Sequence, residues 1–298
     1  VIQACRARDI LRTARLQMRA RLTFCADSGS EMFKAIPKYT TPELAFPADG
    51  TAYIATTCLQ LGLPIRFIVP RECVDCKSGE RYVHKDGFHL MSQCKRNNSR
   101  FRVHNRLRDV LAELIRLAGY HCSTESSEVL RLIDDTSRQR TDITVYGWSA
   151  TGSLEIDVSI TDWRHLLEGG ARTTTIRPYE SSMQREEHKV KKYREKVENA
   201  GSTFEPFVCE KEGLGPKAAQ LVEHFVRKAQ ARTSVPYGVM KSYWTQRLTI
   251  AMRLTSMMCL QESALNNTGH SPVDVAQVVD EMGILDTRCV CNNMPVTR

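Results

Sequence analysis

Between residues 142 and 160 apolar and polar side chains alternate in two runs, DITVY over 142–146 and LEIDVSI over 154–160. The Gly-, Ser- and Thr-rich stretch 147–153 separates them, and strand-period alternation around such a spacer predicts a hairpin. Upstream, RNNSRFRVHNRLRDVLAELIRLAGY begins basic and then sets Val103, Leu107, Val110, Leu111, Leu114, Ile115 and Leu117 at helical spacing. That pattern predicts an amphipathic helix ended by Gly119. A strand is expected over 120–125, followed by a polar helical segment, SSEVLRLIDD. Downstream, QREEHKVKKYREKVENA predicts a helix over 184–200 with only a thin apolar stripe of Val190, Tyr193 and Val197. Such a polar helix packs weakly or binds something. TFEPFVC over 203–209 reads as a strand, and GLGP over 213–216 as the turn into a helix over 217–231. A glycine-bearing helix start suits phosphate, though a packing turn is the simpler reading. After Pro236 a further helix should turn Trp244, Leu248, Met252 and Leu254 inward and cover the sheet.

The ends of the chain carry weaker patterns. CRARDILRTARLQMRARL near the start reads as a basic linker helix, and Pro37, Pro42 and Pro47 break the stretch that follows. Residues 1–65 are therefore taken as a linker and helical lead-in, 66–100 as a Cys- and His-rich segment, 101–235 as an α/β core, and 236–298 as a helical extension with a polar tail. The chain starts at Val1 rather than Met, which suggests a piece of a longer reading frame.

Charge narrows the partners. The 298 residues carry a net charge of +8 with a pI near 9.0, and basic residues cluster over 96–108, 138–140 and 185–196. Clustered positive charge fits a polyanion such as nucleic acid, whose neutralised phosphates release counterions; a solvated helix face is the alternative. No stretch has the length of apolar sequence a membrane helix needs, and no secretory signal pattern opens the chain. An intracellular protein is expected.

The eleven cysteines do not form the even set of a disulfide framework. Cys73 and Cys76 make a Cys-x-x-Cys pair, and His89 and Cys94 a His-x4-Cys pair about a dozen residues on, with His84 as a substitute for His89. Four thiolate and imidazole ligands fill the tetrahedral shell of Zn²⁺ and leave no open position, so the site reads as structural. Cys289 and Cys291 are too isolated to assign.

Candidate chemistry sits on the hairpin. Asp142 opens its first strand and Asp157 lies inside its second, between Ile156 and Val158, where an unpaired acid is costly. Two carboxylates on paired strands can meet at one point and hold Mg²⁺ together with a substrate phosphate. Lys189 on the following helix would complete an acid, acid, base triad.

In these residues the chain resembles the PD-(D/E)xK nuclease superfamily, and in detail the restriction-like endonuclease domain downstream of reverse transcriptase in one class of non-LTR retrotransposons. The family motif is a basic residue, Pro, Asp, a spacer, an acid, and a lysine displaced onto a helix; Arg140, Asp142, Asp157 and Lys189 match it. Thr141 replaces the Pro, and the interval from Asp157 to Lys189 (189 − 157 = 32) is long, leaving Lys189 and Lys192 as competing catalytic lysines. KAIP and LQLGLP match landmarks of the segment joining polymerase to endonuclease, TFEPFVC with GLGP matches a family string, and the Cys/His segment matches a CCHC motif ahead of the nuclease.

The resemblance implies a restriction-endonuclease-like core, a mixed sheet flanked by helices in the order helix, three strands, helix, strand. It implies Mg²⁺ or Mn²⁺ on Asp142 and Asp157, with Glu113 either an added ligand or a solvated glutamate. It also implies phosphate contacts from His104, which matches the His of a family RHD string, with Arg102, Arg106, Arg140 and Lys196 as further nucleic-acid contacts. A loop over the site would carry Arg164, Arg172 and Arg177. The expected activity is nicking of target DNA in the nucleus, so that an upstream reverse transcriptase primes on the exposed end, with element RNA as a second partner. The rivals are a zinc-containing binding module without cleavage and a host repair or junction nuclease of the same fold.

Overall fold

The computed structural model describes residues 71–73, 82–83, 87, 89–94, 99–126, 140–150, 152–162, 179–210 and 213–266. The lead-in, Cys76, His84, the segment after Ser126, the arginines 164, 172 and 177, and the tail with Cys289 and Cys291 lie outside them.

Two short strands, β1 (Arg71–Glu72) and β2 (Tyr82–Val83), pair antiparallel ahead of a single π-helical turn, His89–Gln93. Helix α1 (Ser99–Leu117) follows, then β3 (His121–Ser126), β4 (Thr141–Tyr146) and β5 (Leu154–Thr161). Helix α2 (Glu180–Asn199) leads into β6 (Thr203–Glu210), β7 (Gly213–Leu214), α3 (Pro216–Ala231) and α4 (Tyr237–Asn266). The order across the five-stranded sheet is β3-β4-β5-β6-β7. β3, β4 and β5 form an antiparallel meander, whereas β5 and β6 run parallel from Leu154↔Thr203 to Thr161↔Glu210. A parallel pair needs a crossover, and α2 lies in the connection that supplies it.

Alternation along β5 decides what covers each face. Leu154, Ile156 and Val158 join Ile143 and Val145 of β4 in the main core, against Leu107, Leu111 and Ile115 of α1 and Phe225 of α3. Each fully buried Leu, Ile or Phe there contributes about 1.5–3 kcal/mol. Glu155, Asp157 and Ser159 point to the opposite face, where α2 lies. That layer is polar: the fully buried Glu155 carboxylate accepts from Thr141 Oγ1 and Thr144 Oγ1 at 2.6 Å each and from Ser153 Oγ at 2.7 Å. Three donors offset the cost of burying the acid and tie β4 to β5. Helix α2 therefore has few apolar residues because the surface beneath it is polar, and its own small apolar cluster is Tyr193 and Val197 with Phe204.

Gly119 ends α1 as the sequence predicts. Its φ is +92°, its N–H donates to the Arg116 carbonyl and the Tyr120 N–H to that of Ile115, the paired bonds of a Schellman cap. Trp244, Leu248 and Met252 of α4 are buried, but that helix packs chiefly on α1 and α3 rather than on the sheet. Among the described residues no helix is long and apolar enough to cross a membrane.

The GLGP turn is a packing turn. A Cβ on Gly215 would stand 2.6 Å from Glu186 Oε1 and 2.7 Å from the Val208 carbonyl oxygen. Glu186, buried on α2, accepts from the Lys217 N–H at 3.1 Å, so its own carboxylate occupies the start of α3. Burial outweighs those bonds and pushes the Glu186 carboxyl up to about 7. Because the folded value is raised, stability is fully present below the ordinary 4.5 and is lost as pH climbs toward about 7. Urea unfolding at pH 4.5 and pH 8 should show this loss, on the order of 2–3 kcal/mol, and Glu186→Gln should flatten it.

Candidate functional site

The two acids and the lysine come from three elements. Asp142 is the second residue of β4, Asp157 the fourth of β5, and Lys189 lies midway along α2. The β4/β5 register runs Val145↔Leu154, Thr144↔Glu155, Ile143↔Ile156, and one further step faces Asp142 with Asp157. There the strands part, and Asp142 Oδ2 accepts from the Val158 N–H at 2.6 Å, the residue next to Asp157. Lys189 Nζ sits astride the other carboxylate, 2.8 Å from Asp157 Oδ1 and 2.7 Å from Oδ2. Only the approach to Oδ1 has hydrogen-bond geometry, so Oδ2 is buried in ionic contact without a directed donor.

Electrostatics follow from burial. Asp157 is 7% exposed, and desolvation pushes its carboxyl above the usual range despite the opposing pull of Lys189. The negative charge of Asp142 adds to the rise, while His104 opposes it. These mutual effects place both acids, the lysine and the histidine in one electrostatic neighbourhood. Two facing carboxylates, one with an undirected oxygen, are the hard donor set that a divalent cation takes.

His104, on α1, bonds Asp142 Oδ1 through Nε2 at 3.1 Å. It touches Asp142 directly, where the sequence reading expects a phosphate contact. Glu113 does not join it: nine positions further along the helix, about 13 Å by helical rise, it pairs with Arg247 of α4. The expected α1 ligand to Mg²⁺ is thus engaged elsewhere, and the α1 residue at the acids is the histidine. Of the two competing lysines, Lys189 reaches Asp157, whereas Lys192 is exposed with its Nζ 4.6 Å from the Tyr193 ring centroid. Arg140 is exposed just before β4, 3.5 Å from Glu125, which also binds Arg108. Lys196 is exposed on α2, and Arg102 and Arg106 are half-buried on α1.

A second cluster lies in the segment ahead of α1. Cys73, His89 and Cys94 are 4%, 2% and 1% exposed, with one ligand atom of each within 4.8 Å of the others. The turn that carries His89 is drawn tight by Cys94 N–H donating to the His89 carbonyl at 2.7 Å. The two sulfurs are 3.9 Å apart. Ligands about 2.3 Å from a shared tetrahedral centre would be separated by about 3.8 Å. This group could hold a metal ion, and Cys76, its expected fourth member, falls outside the described residues. Cys122 and Cys209 are buried apart from it, and burial pushes both thiols up, which suits packing rather than reactivity.

Three neighbours of the site carry no motif. Glu155, Ser159 and Arg185 line the polar layer beside Asp157, and Arg185 Nε donates to Ser159 Oγ at 3.4 Å. The alternation of Glu155, Asp157 and Ser159 with apolar residues signals their shared face; Arg185, four residues before Lys189, follows from helical spacing. No protein-family model and no curated protein matches the chain.

Proposed function

We propose that the chain is a metal-dependent DNA endonuclease domain of the retrotransposon type, with a restriction-endonuclease-like core. The observation that carries this reading is that Asp142 and Asp157, at facing positions of two paired strands, share one half-buried electrostatic neighbourhood with Lys189 of the crossover helix, which bonds Asp157. The order helix, three strands, helix, strand, with the meander followed by a parallel strand, supports it.

Mg²⁺ or Mn²⁺ on Asp142 and Asp157 would supply Lewis acidity to a phosphoryl oxygen and make water a stronger nucleophile at neutral pH. Lys189, an ammonium among acids, orients the attacking water and offsets charge gathering on phosphorus. His104 fixes the rotamer of Asp142, and the Val158 N–H holds its second oxygen. Water adds to phosphorus as the bond to the leaving oxygen breaks, and the strand is left with a 3′ hydroxyl from which an upstream reverse transcriptase can prime. Cys73, His89 and Cys94, with Cys76, would hold structural zinc ahead of the core. Target DNA and element RNA are the partners, and the nucleus is the place of action.

Supercoiled plasmid should be nicked with Mg²⁺ or Mn²⁺ and not with EDTA. Asp142→Asn should lower the rate by about a hundredfold or more. Gel retardation without nicks in any divalent cation would turn the reading into that of a binding module.

A further inference from the structure

Among the described residues, three cations on α2 and at the start of α3 have carboxylates: Lys189 with Asp157, Lys217 with Glu205, and Arg194 with Glu198 and Glu205. Arg185 differs from them. As a residue it is half-buried, its side-chain bond is the 3.4 Å contact of Nε with Ser159 Oγ, and among the described residues it forms no ion pair. A guanidinium carries five donors in a planar fork, so most of its hydrogen-bonding capacity is uncommitted there.

Its position is set by two periodicities. Arg185 precedes Lys189 by one helical turn on the same side of α2, and Ser159 follows Asp157 by two residues on the same face of β5. Helix and strand run in opposite directions here, since Lys189 meets Asp157, Arg185 meets Ser159 and Ser181 meets Thr161. The fork thus stands about 6 Å along the helix from the Lys189 ammonium, toward the end of the sheet where β4 begins and exposed Arg140 sits.

We infer that Arg185 is a substrate-binding residue that clamps the phosphate adjoining the scissile one, in a bidentate contact, while Lys189 stays with the acids. The inference rests on the nuclease reading for what is cut, but the anion contact itself needs only a nucleic-acid backbone. An arginine suits this place better than lysine because the paired N–H donors match two phosphate oxygens. Ser159 holds the fork in register without neutralising it.

The test uses the whole chain, with a fluorescein-labelled DNA duplex in Ca²⁺ for binding and supercoiled plasmid in Mg²⁺ for nicking. Arg185→Met should reduce the slope of log affinity against log salt by about one. It should also raise the KM for nicking about 10- to 100-fold, with kcat within about threefold because the contact is present before and during the reaction. Arg185→Lys should keep the slope and lose part of the affinity. Arg185→Gln, which can still bond Ser159, should behave like the Met variant and guards against a packing defect. A Met and a Gln variant that bind with the wild-type slope, or that lose kcat at unchanged KM, overturn the assignment. If the wild type never nicks while Arg185→Met still loses one unit of slope, the endonuclease reading fails and the phosphate clamp stands. If the wild type nicks and the slope is unmoved, the reverse holds.

Discussion

Asp157→Asn is expected to lower plasmid nicking by about a thousandfold and to destabilise the protein as well, whereas a second change, Lys189→Met, should restore stability without restoring activity. Lys189 Nζ hydrogen-bonds Asp157 Oδ1 and stands in ionic contact with Oδ2, and the two side chains are 12% and 10% exposed. Breaking such a pair from one side strands a charge in a dry place and costs about 3–5 kcal/mol, while replacing both partners with neutral groups of similar size is often harmless. Lys189→Met alone strands the carboxylate, whose proton affinity burial already raises. The folded value lies above the unfolded one, so the Lys189→Met variant should be most stable at low pH and weaken as pH climbs through that raised value. Urea unfolding together with nicking separates the two roles. A double variant that still cuts DNA would remove both residues from the chemistry.

Loss of the Cys73, His89 and Cys94 site should have the largest effect on stability. Leu90 and Met91 between these residues belong to the same core as Leu107 of α1 and Leu248 of α4. Releasing a metal would loosen this corner as well as a local loop. Structural zinc binds with about 10–16 kcal/mol in small zinc peptides, and much of that is folding free energy. Chelation, or Cys73→Ser, should lower Tm by about 10 °C or more. Metal analysis should return zinc in equal proportion to the wild-type chain and none in Cys73→Ser, and Cys76→Ser should match it. Wild-type protein that purifies without metal and melts at the same temperature in EDTA would remove the zinc site.

Much of this architecture was legible in local pattern. The hairpin, the amphipathic α1 and its end at Gly119, the strand TFEPFVC and the buried Trp244, Leu248 and Met252 each follow from period, punctuation and side-chain type. The juxtaposition of Asp142 with Asp157 was readable once those strands are paired. What local pattern could not decide depended on long-range packing. Lys189 and Lys192 are equally basic and three residues apart, and only the docking of α2 on β5 separates them. Glu113 had the right charge on the right helix but pairs with Arg247, more than a hundred residues away in sequence. The sparse apolar stripe of α2 leaves weak packing and a binding surface both open in the sequence, because an amphipathic template assumes an apolar counterface. Here the counterface bears Glu155, Asp157 and Ser159.

The two sides of this sheet are held by different glue. On one, interlocked hydrocarbon fixes the helices by shape; on the other, α2 rests on β5 through directional bonds and a paired charge. The nucleic-acid backbone proposed as partner would then be met by trading ligands within that layer while the oily half keeps its form. Adaptability and rigidity are assigned to opposite surfaces of one set of strands, and a single residue step in β5 separates them.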